Sequence, residues 1–552
     1  MTAPEIDDLA VPLDALLIDA AFGPVRRLAP DVSTVKFAGR LVSRPGSTTN
    51  RLREMAAELA RIGLGVSDLE PATGDRRFTD PAWAQNPLLR RILQTYLATD
   101  RTVEQLIDDS GLGWRDDQRV RFLADNLLAA LSPSNVPVLN PASFKAAIDS
   151  GGMNFLRGGL NLLRDMASAP RIPQMVDGSD FAVGDNLGAT PGAVVLRTEV
   201  FELIQYAPQT PTVRQVPLLL VPPTINKFYV LDLAPGRSLV EYLVRRGQQV
   251  FVMSWRNPDA RHADWGLDTY TQAVLDALDA TRRICRAERT VLTGVCSGGM
   301  LASMVAAQLA GVGQLDRLAG LAFMVTVLDH RRAGIPAALA DRYLARAATA
   351  ISRRKGYLDG KLLAEVFAWL RPGDLVWNYW VNNYLLGRKP PAFDVLYWNA
   401  DTTRMPARLH ADLVDVALAN RMAKPASGLK KVSTDTYVVA GIADHITPWQ
   451  NCYRTTGLLG GPTRFVLSSS GHIAAMVNPP GSGKSSYRLN PEHPGDPQEW
   501  LGGASTEQGS WWPDFVAWLT KRSGAEKRAP RNLGGRGLDP LIEAPGTYVL
   551  DR

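Results

Sequence analysis

Residues 290–300 read TVLTGVCSGGM, and this stretch decides the fold. An apolar β-branched run leads into Gly294-Val295-Cys296-Ser297-Gly298, and the amphipathic run LASMVAAQLA follows. A strand, a sharp turn with a nucleophilic residue between two glycines, and a helix are typical of a nucleophile elbow. The glycines are needed because a Cβ atom would collide with neighbouring backbone. We therefore predict that Cys296 projects above a sheet at a helix N-terminus, which favours the thiolate.

Short β-branched runs around this motif alternate with helical stretches. They lie at residues 195–204, 216–221, 249–254, 290–293, 321–327, 436–440 and 465–468. Fully apolar short strands between amphipathic helices indicate an α/β fold whose mostly parallel sheet is covered on both faces. We expect antiparallel strands at the start of this sheet.

Composition divides the chain into regions. Apolar residues at three- and four-residue spacing predict a mainly helical N-terminal domain over residues 1–190, with 1–70 as a candidate flexible segment. Residues 191–552 form the predicted catalytic domain. No strand pattern occurs between residues 329 and about 429, so we expect this segment to form a cap inserted between two core strands. The alternative is a larger core with ordinary helices.

The bulk properties exclude several classes of protein. A net charge of +6 over 552 residues is too dilute for a nucleic-acid-binding surface. No stretch has the length of a membrane helix, and the acidic N-terminus does not resemble a signal peptide. Three cysteines form no disulfide framework and fit a reducing cytosol, and we take Cys285 and Cys452 as structural. We expect no metal and no cofactor, because no metal-ligand spacing occurs.

Two further residues complete a candidate catalytic triad. Asp444 follows the 436–440 run in GIADHITPWQ, and His472 follows the 465–468 run in SSGHIAAMVNPP. Each lies just past the carboxyl end of a predicted strand, where such sheets build their sites. Nucleophile, acid and histidine in this chain order are the arrangement of the α/β-hydrolase fold.

Other residues compete for the two partner roles. His445 adjoins Asp444 and is the main alternative to His472, while His330 begins the predicted cap. We expect the remaining histidines to be exposed, namely His262, His410 and His493. Asp435 and Asp401 remain alternatives for the acid.

Several long motifs resemble the signature segments of polyhydroxyalkanoate synthases. They are FTDPAWAQNPLLRRILQTYL (78–97), VPPTINKFYVLDL (221–233), FVMSWRNPD (251–259), GVCSGGM, LYWNADTTRMP (396–406), GIADHITPW and SGHIAAMVNPP. The resemblance runs from about residue 75 to the C-terminus and is greatest to the single-chain synthases. The first 70 residues match nothing that we can name.

The resemblance implies an α/β-hydrolase core with a cap and a helical N-terminal domain. It implies an acyltransferase that polymerises (R)-3-hydroxyacyl-coenzyme A into polyester and releases coenzyme A. Cys296 would carry the chain as a thioester and His472 would deprotonate the thiol. Asp444 would either support His472 or help to activate the substrate 3-hydroxyl. Homodimers at the surface of cytoplasmic polymer granules, with phasins nearby, are implied as well.

The predicted tetrahedral intermediate needs an oxyanion hole, and the acylated enzyme needs a site from which water is excluded. One donor is the backbone N–H of Ser297, and the other is expected from the Thr224–Ile225 backbone, with Ile225 preferred. The alternative is that this loop is only a Pro-terminated turn. Four cap tryptophans either exclude water and guide the polyester or form the core of the cap, namely Trp369, Trp377, Trp380 and Trp398.

Two other functions compete with the synthase. Intracellular polyester depolymerases and thioesterases share the fold and use similar triads, but the elbow cysteine and the 221–233 and 251–259 motifs favour the synthase. A non-catalytic granule-binding or subunit-binding protein is the third possibility, and the intact Cys296, Asp444 and His472 argue against it.

Overall fold

The computed structural model describes residues 32–330, 335–369, 372–444, 446–481, 483 and 485–552. Its N-terminal region is helical, as predicted. The helices are α1 (Val32–Ser43), α2 (Pro45–Leu64), α3 (Ala82–Gln85), α4 (Pro87–Ser110), α5 (Trp114–Ala130), α6 (Pro141–Ser150) and α7 (Met153–Met166). Part of the segment 1–70 therefore forms helices α1 and α2, and residues 1–31 lie outside the described residues.

Local signals set the ends of the longest of these helices, α4. The Asn86 side chain accepts hydrogen bonds from the backbone N–H groups of Leu88 and Leu89, so it caps two donors that lack intrahelical partners. Pro87 occupies the first helical position, where its missing N–H costs nothing. Gly111 ends the helix with φ 61°, a left-handed conformation that glycine adopts readily.

Fifteen strands are found among the described residues. They are β1 (Gly192–Arg197), β2 (Phe201–Tyr206), β3 (Thr212–Arg214), β4 (Leu218–Val221), β5 (Val250–Trp255), β6 (Thr290–Val295), β7 (Leu318–Met324), β8 (Tyr357–Leu358), β9 (Met405–Pro406), β10 (Thr436–Gly441), β11 (Thr463–Ser468), β12 (Ser486–Leu489), β13 (Ser505–Gln508), β14 (Glu526–Arg528) and β15 (Ile542–Glu543).

Eleven of these strands form one sheet in the order β13-β12-β11-β10-β7-β6-β4-β5-β2-β1-β15. The six strands from β11 to β5 are parallel, and antiparallel strands flank them on both sides. The α/β fold with a mostly parallel sheet and antiparallel strands at its start is thus confirmed. The Gly/Pro-rich tail is extended at β15, which pairs with β1.

Helices cover both faces of this sheet. They are α8 (Leu239–Val244), α9 (Leu267–Cys285), α10 (Ser297–Gly311), α15 (Trp449–Leu458), α16 (His472–Met476), α17 (Pro497–Gly502) and α18 (Trp512–Thr520). Successive residues of β4 enter opposite cores, since Leu219 packs with α9 and α10 whereas Leu218 and Leu220 pack with α8 and α18. Burial on both faces explains why the parallel strands are apolar throughout.

The chain between β7 and β10 is mainly helical. It contains α11 (Ile335–Lys355), α12 (Gly360–Trp369), α13 (Asp394–Ala400) and α14 (Ala407–Ala419), with two π-helices at Gly373–Trp377 and Trp380–Leu385. Strand pairing does not stop entirely here, since the two-residue strands β8 and β9 pair with each other. The second π-helix packs closely on α7 of the N-terminal region, where the Asn154 side chain donates to the Leu385 carbonyl.

The strand predictions differ from the structure in several places. Strand β7 ends at Met324 instead of continuing to residue 327, and the short strands β3, β8, β9 and β14 were not predicted. The 195–204 run is two antiparallel strands, because the Thr198 side chain closes a turn by accepting from the N–H groups of Val200 and Phe201. Strands β12 and β13 were missed altogether. Their residues are half-buried or exposed, so neither strand has the apolar run that marks the others.

Candidate active site

Cys296 occupies a strained turn between β6 and α10. Its φ of 51° and ψ of −119° are unusual for a residue with a side chain. The Cys296 N–H donates to the Met324 carbonyl at 2.9 Å, which ties the turn to the end of β7. The side chain is half-buried and lies at the start of α10.

The neighbouring glycines allow the backbone to pack this closely. A Cβ atom on Gly298 would lie 2.3 Å from the Val221 oxygen and 2.4 Å from the Pro222 oxygen. On Gly294 it would lie 2.5 Å from the Gly298 oxygen. Separations below 3 Å to backbone atoms are not tolerated, so the predicted reason for both elbow glycines agrees with the packing.

The structure brings the three predicted side chains together. Asp444 follows β10 and His472 begins α16 after β11, so both lie at the sheet edge where β6 ends. His472 Nδ1 lies 2.7 Å from Asp444 Oδ2. The Cys296 side chain lies close enough to the same imidazole to raise its pKa. Because Nδ1 faces Asp444, Nε2 is the ring nitrogen left for the thiol.

The electrostatics of the site favour a proton on His472. Burial opposes that charge, but Asp444 and then Cys296 raise the pKa of His472 to about 10. Burial also opposes ionisation of Asp444, yet the charge and hydrogen bond of His472 and the bonds from Thr447 hold its pKa below the ordinary value. The pair is therefore an imidazolium and a carboxylate at neutral pH, beside the Cys296 sulfur.

Sequence reasoning missed Thr447, which contacts both members of this pair. Its Oγ1 donates to Asp444 Oδ2 at 2.5 Å and lies 3.1 Å from His472 Nδ1. The backbone N–H groups of Ile446 and Thr447 donate to the other carboxylate oxygen, Oδ1. A threonine three residues after an aspartate is the signal that could have found it, since such side chains close local turns.

The alternative acids lie elsewhere. Asp435 precedes β10 at the opposite end of the sheet, where it pairs with Arg522 and accepts from Trp518 Nε1. Asp401 accepts a hydrogen bond from the Tyr229 hydroxyl at 2.9 Å. Asp444 is thus the candidate acid that contacts His472.

The predicted exposure of two histidines was wrong. His262 is buried, with its Nδ1 accepting from the Asp259 N–H and its ring 4.2 Å from that of Trp265. His410 is buried against the Ser352 hydroxyl at 2.8 Å. Both side chains are buried by tertiary packing, which their polar neighbours in sequence do not reveal. His493 is exposed as expected.

Two histidines that compete with His472 remain. The backbone N–H of His330 donates to Asn420 Oδ1, which ties the start of the cap region to α14 and its following turn. His445, the main alternative, lies outside the described residues.

The predicted oxyanion loop contacts the elbow directly. The Thr224 N–H donates to Ser297 Oγ at 2.9 Å, and the Thr224 hydroxyl lies 3.1 Å from the same oxygen. Thr224 therefore has no free backbone donor for a substrate, which leaves the Ile225 N–H of the two considered. Ser297 is the first residue of α10, so its own N–H has no intrahelical acceptor.

The other two cysteines are buried and uncharged. Burial raises the pKa of the Cys285 thiol to about 12. Burial, and after it the negative charges of the neighbouring Asp444 and Cys296, raise the pKa of the Cys452 thiol well above its ordinary value. Cys296 is the half-buried thiol of the three, and we continue to regard the other two as structural.

The tryptophans of the predicted cap fall into two groups. Trp369, Trp377 and Trp380 form a chain of edge-on rings, with centroids 6.2 and 5.6 Å apart. Trp380 Nε1 also donates to the Asn135 carbonyl of the N-terminal region. Trp398 is buried and donates to the Lys227 carbonyl. These contacts are those of packed core residues, which favours the cap-core alternative for all four.

The described part of the chain holds no group of three or more His, Cys, Asp or Glu residues arranged to bind a metal ion. Within the same residues, no helix is both long and apolar enough to cross a membrane.

Comparisons with known proteins agree on one family. The profile described as poly-beta-hydroxybutyrate polymerase (PhaC) N-terminus matches residues 74–243, and that of the alpha/beta hydrolase fold matches residues 217–479. Poly(3-hydroxyalkanoate) polymerase 2 of Ectopseudomonas oleovorans is 45% identical over 530 residues, covering 94% of each chain. Polymerase 1 of that organism is 43% identical, covering 93% of this chain and 92% of the relative.

A third relative is more distant. The poly(3-hydroxyalkanoate) polymerase subunit PhaC of Cupriavidus necator is 39% identical, covering 90% of this chain and 87% of that protein. The first relative covers 94% of this chain, so the unmatched residues are fewer than the first 70. The similarity therefore extends further toward the N-terminus than the motifs indicated.

Proposed function

This chain belongs to the poly(3-hydroxyalkanoate) polymerase family, and we propose that it is an acyltransferase that polymerises (R)-3-hydroxyacyl-coenzyme A into polyester with release of coenzyme A. The observation that carries the proposal is the half-buried thiol of Cys296 at the elbow, next to the His472–Asp444 pair. A thiolate that attacks a thioester forms another thioester, so acyl groups can be passed on at little energetic cost.

The first step is acylation of Cys296. Before the reaction the proton of the Cys296 thiol already resides on His472 Nε2, which matches the imidazolium described above, and the Cys296 thiolate attacks the thioester carbonyl of the substrate. The tetrahedral intermediate collapses with cleavage of the carbon–sulfur bond to coenzyme A. The leaving thiolate takes the proton from His472, so the step ends with acyl-Cys296, free coenzyme A and a neutral imidazole.

Elongation then forms the ester bond. The 3-hydroxyl oxygen of a further hydroxyacyl-coenzyme A attacks the acyl-Cys296 carbonyl, while its proton passes to His472. An ester forms and the Cys296 thiolate is released. Attack of this thiolate on the thioester of the lengthened chain returns the chain to Cys296, and coenzyme A leaves with the proton. One ester bond is formed for each coenzyme A released.

We assign Asp444 the task of orienting His472 rather than of activating the substrate hydroxyl. Asp444 is buried, and its two oxygens already accept from His472, Thr447 and the Ile446 N–H. A carboxylate whose oxygens are all engaged has no free lone pair for a substrate hydroxyl. It instead fixes the imidazole with Nε2 toward sulfur and stabilises the imidazolium.

The oxyanion in both steps would be held by the Ser297 and Ile225 N–H groups. The hydrogen bond from Thr224 to Ser297 Oγ supports this assignment, because it anchors the loop next to the elbow and orients the residue that follows. Ser297 thus contributes its backbone to the oxyanion and its side chain to the loop.

We further propose that residues 329–429 form a cap and that residues 1–190 are a separate helical domain. A cap over an acyl-enzyme limits hydrolysis by water. The family resemblance supports a homodimer at the surface of cytoplasmic polymer granules, with phasins as neighbours.

Parallel measurements of thiol release and polymer mass test the function. The purified protein is given (R)-3-hydroxybutyryl-coenzyme A, free coenzyme A is followed with a thiol reagent, and the polymer is weighed after precipitation. We expect one ester unit for each thiol released. Thiol release with free hydroxyacid as the sole product would identify a thioesterase and overturn the proposal.

A further inference from the structure

A basic cleft lies at the end of the sheet opposite Cys296. One surface cavity of about 560 Å³ is lined by four arginines, namely Arg282, Arg283, Arg286 and Arg536. A second cavity of about 380 Å³ shares Arg286 and Arg536 with the first and adds Lys527 and Arg528. Among the described residues that line the two cavities there is no Asp or Glu. We call these six cationic residues the arginine cleft.

The cleft is remote from the proposed catalytic residues. Arg282 and Arg283 lie in the last turn of α9, which ends just before the start of β6. Lys527 and Arg528 lie in β14, which pairs with β3 ahead of the start of β4. Cys296 follows the far end of β6, which is roughly 20 Å from its start for a six-residue strand. The cleft is therefore not part of the substrate site described above.

Three of the guanidinium groups have no partner. The side chains of Arg283, Arg286 and Arg536 make no hydrogen bond, ion pair or ring contact with any residue that the structure describes. Of the acids nearby, Glu526 pairs with Arg214, while Asp279 pairs with Arg317 and with Arg282, the one cleft arginine of α9 that has a carboxylate partner. Unpaired like charges around one cavity repel one another, so a ligand of opposite charge would stabilise the arrangement.

Two of these arginines also have an unusual backbone. Arg286 has φ 51° and Arg536 has φ 58°, a left-handed conformation that costs a residue with a side chain roughly 1 kcal/mol or more. Arg536 stands among Gly534, Gly535 and Gly537, which also have positive φ. The loop is held to the sheet by the Gly534 N–H, which donates to Gln205 Oε1 at 2.6 Å. The two side chains are thus presented from fixed turns.

The dipole of α9 explains only part of the cluster. Basic residues in the last turn of a helix interact favourably with its C-terminal carbonyls, which accounts for Arg282 and Arg283. Lys527 also interacts with these carbonyls, since its Nζ donates to the Cys285 carbonyl. Arg536 approaches from a loop 250 residues away in sequence and has no such acceptor, so its position calls for a different partner.

We propose that the arginine cleft binds an anion carrying two or more phosphate groups. Planar guanidinium groups form paired hydrogen bonds with phosphate oxygens, and several of them around one cavity match the charge of a pyrophosphate or longer chain. Inorganic polyphosphate and a nucleoside diphosphate share this chemistry.

Calorimetric titration of the full-length protein at low ionic strength tests the proposal. Tripolyphosphate is the probe, and we expect saturable binding of one anion per chain. The double variant Arg286→Gln, Arg536→Gln should weaken this binding by about tenfold or more, because it removes two unpaired guanidinium groups. Arg283→Gln, which lies in regular helix and does not depend on a left-handed turn, should weaken it as well.

The matched control for Arg283→Gln is Arg53→Gln, at an exposed arginine of α2, which removes the same single charge from a distant surface. Its affinity for tripolyphosphate should equal that of the unmodified protein, and hydroxyacyl-coenzyme A turnover should be unchanged in every variant. Titrations with ADP and with adenosine then distinguish a nucleotide from inorganic polyphosphate, since only a nucleotide site gains affinity from the base. Equal affinity in the double variant and the unmodified protein, or equal loss in Arg53→Gln, would overturn the proposal.

Discussion

His472 Nδ1 and Asp444 Oδ2 are 2.7 Å apart, and Oγ1 of Thr447 contacts both. The contact joins two loops that follow neighbouring parallel strands, β10 and β11. It fixes which imidazole nitrogen faces Cys296, and it places a buried negative charge beside the base. The predictions below follow from this pair and from the turn that holds Cys296.

Replacement of the proposed nucleophile should abolish turnover. We expect Cys296→Ala to lower the rate of coenzyme A release by about 10³-fold or more, as is found when a covalent nucleophile is removed. Cys285→Ala is the matched control, because Cys285 is a buried thiol at the far end of the sheet, and it should retain normal turnover. Full activity in Cys296→Ala would contradict the assignment of the site.

Removal of the Thr447 hydroxyl should loosen the His472–Asp444 pair. Thr447→Val keeps the side-chain shape but loses the 2.5 Å bond to Asp444, so we expect kcat to fall about 10-fold with little change in KM. Thr447→Ser retains the hydroxyl and should restore most of the activity. A pH–rate profile should show that the valine variant titrates at higher pH, because Asp444 without the hydrogen bond from Thr447 is a stronger acceptor for the His472 proton. An unchanged profile with reduced kcat would point to a merely structural role.

The His472–Asp444 ion pair should make the protein less stable as the pH becomes alkaline. The folded pKa of His472 is raised to about 10 from the ordinary 6.5, so its stabilising contribution is fully present below about pH 6.5 and is lost as the pH rises through 10. The thermal midpoint of the unmodified protein should therefore exceed that of His472→Gln near pH 6.5, and the difference should shrink by pH 10. His493→Gln, at an exposed histidine, should follow the unmodified protein throughout. A difference that stays constant over this range would disprove the linkage.

Addition of one methyl group at the elbow should damage the fold. Gly298→Ala places a Cβ atom 2.3 Å from the Val221 oxygen, and we expect a loss of about 3 kcal/mol or more, measured as a lower unfolding midpoint or loss of soluble protein. Gly311→Ala, at the other end of α10, meets no atom within 4 Å. It should be neutral or slightly stabilising, because alanine favours helix. Equal effects of the two substitutions would refute the packing argument.

Much of the site was predictable because it is encoded locally. A strand–turn–helix with glycines at 294 and 298 depends on contacts within a few residues, and Cys296 lies where that pattern predicts. Asp444 and His472 were found because each follows an apolar strand, and parallel strands end at one sheet edge. The role of each residue in catalysis remains a prediction that the variants above address.

Other features depend on contacts between distant parts of the chain. His262 and His410 are buried by packing that their neighbours in sequence do not reveal, and β12 and β13 pair through backbone groups without an apolar pattern. The choice of Asp444 over Asp435 rests on which end of β10 each occupies.

The fold class, the elbow and the family could be recognised from residue type and spacing, because short-range sterics and the burial of strands constrain both. Three other features are visible only in the folded chain: Thr447 joins the His472–Asp444 pair, the Thr224 N–H donates to Ser297, and Arg536 lies beside Arg286. Each of these depends on how separate loops and helices meet once the sheet has formed, and no local pattern specifies that meeting.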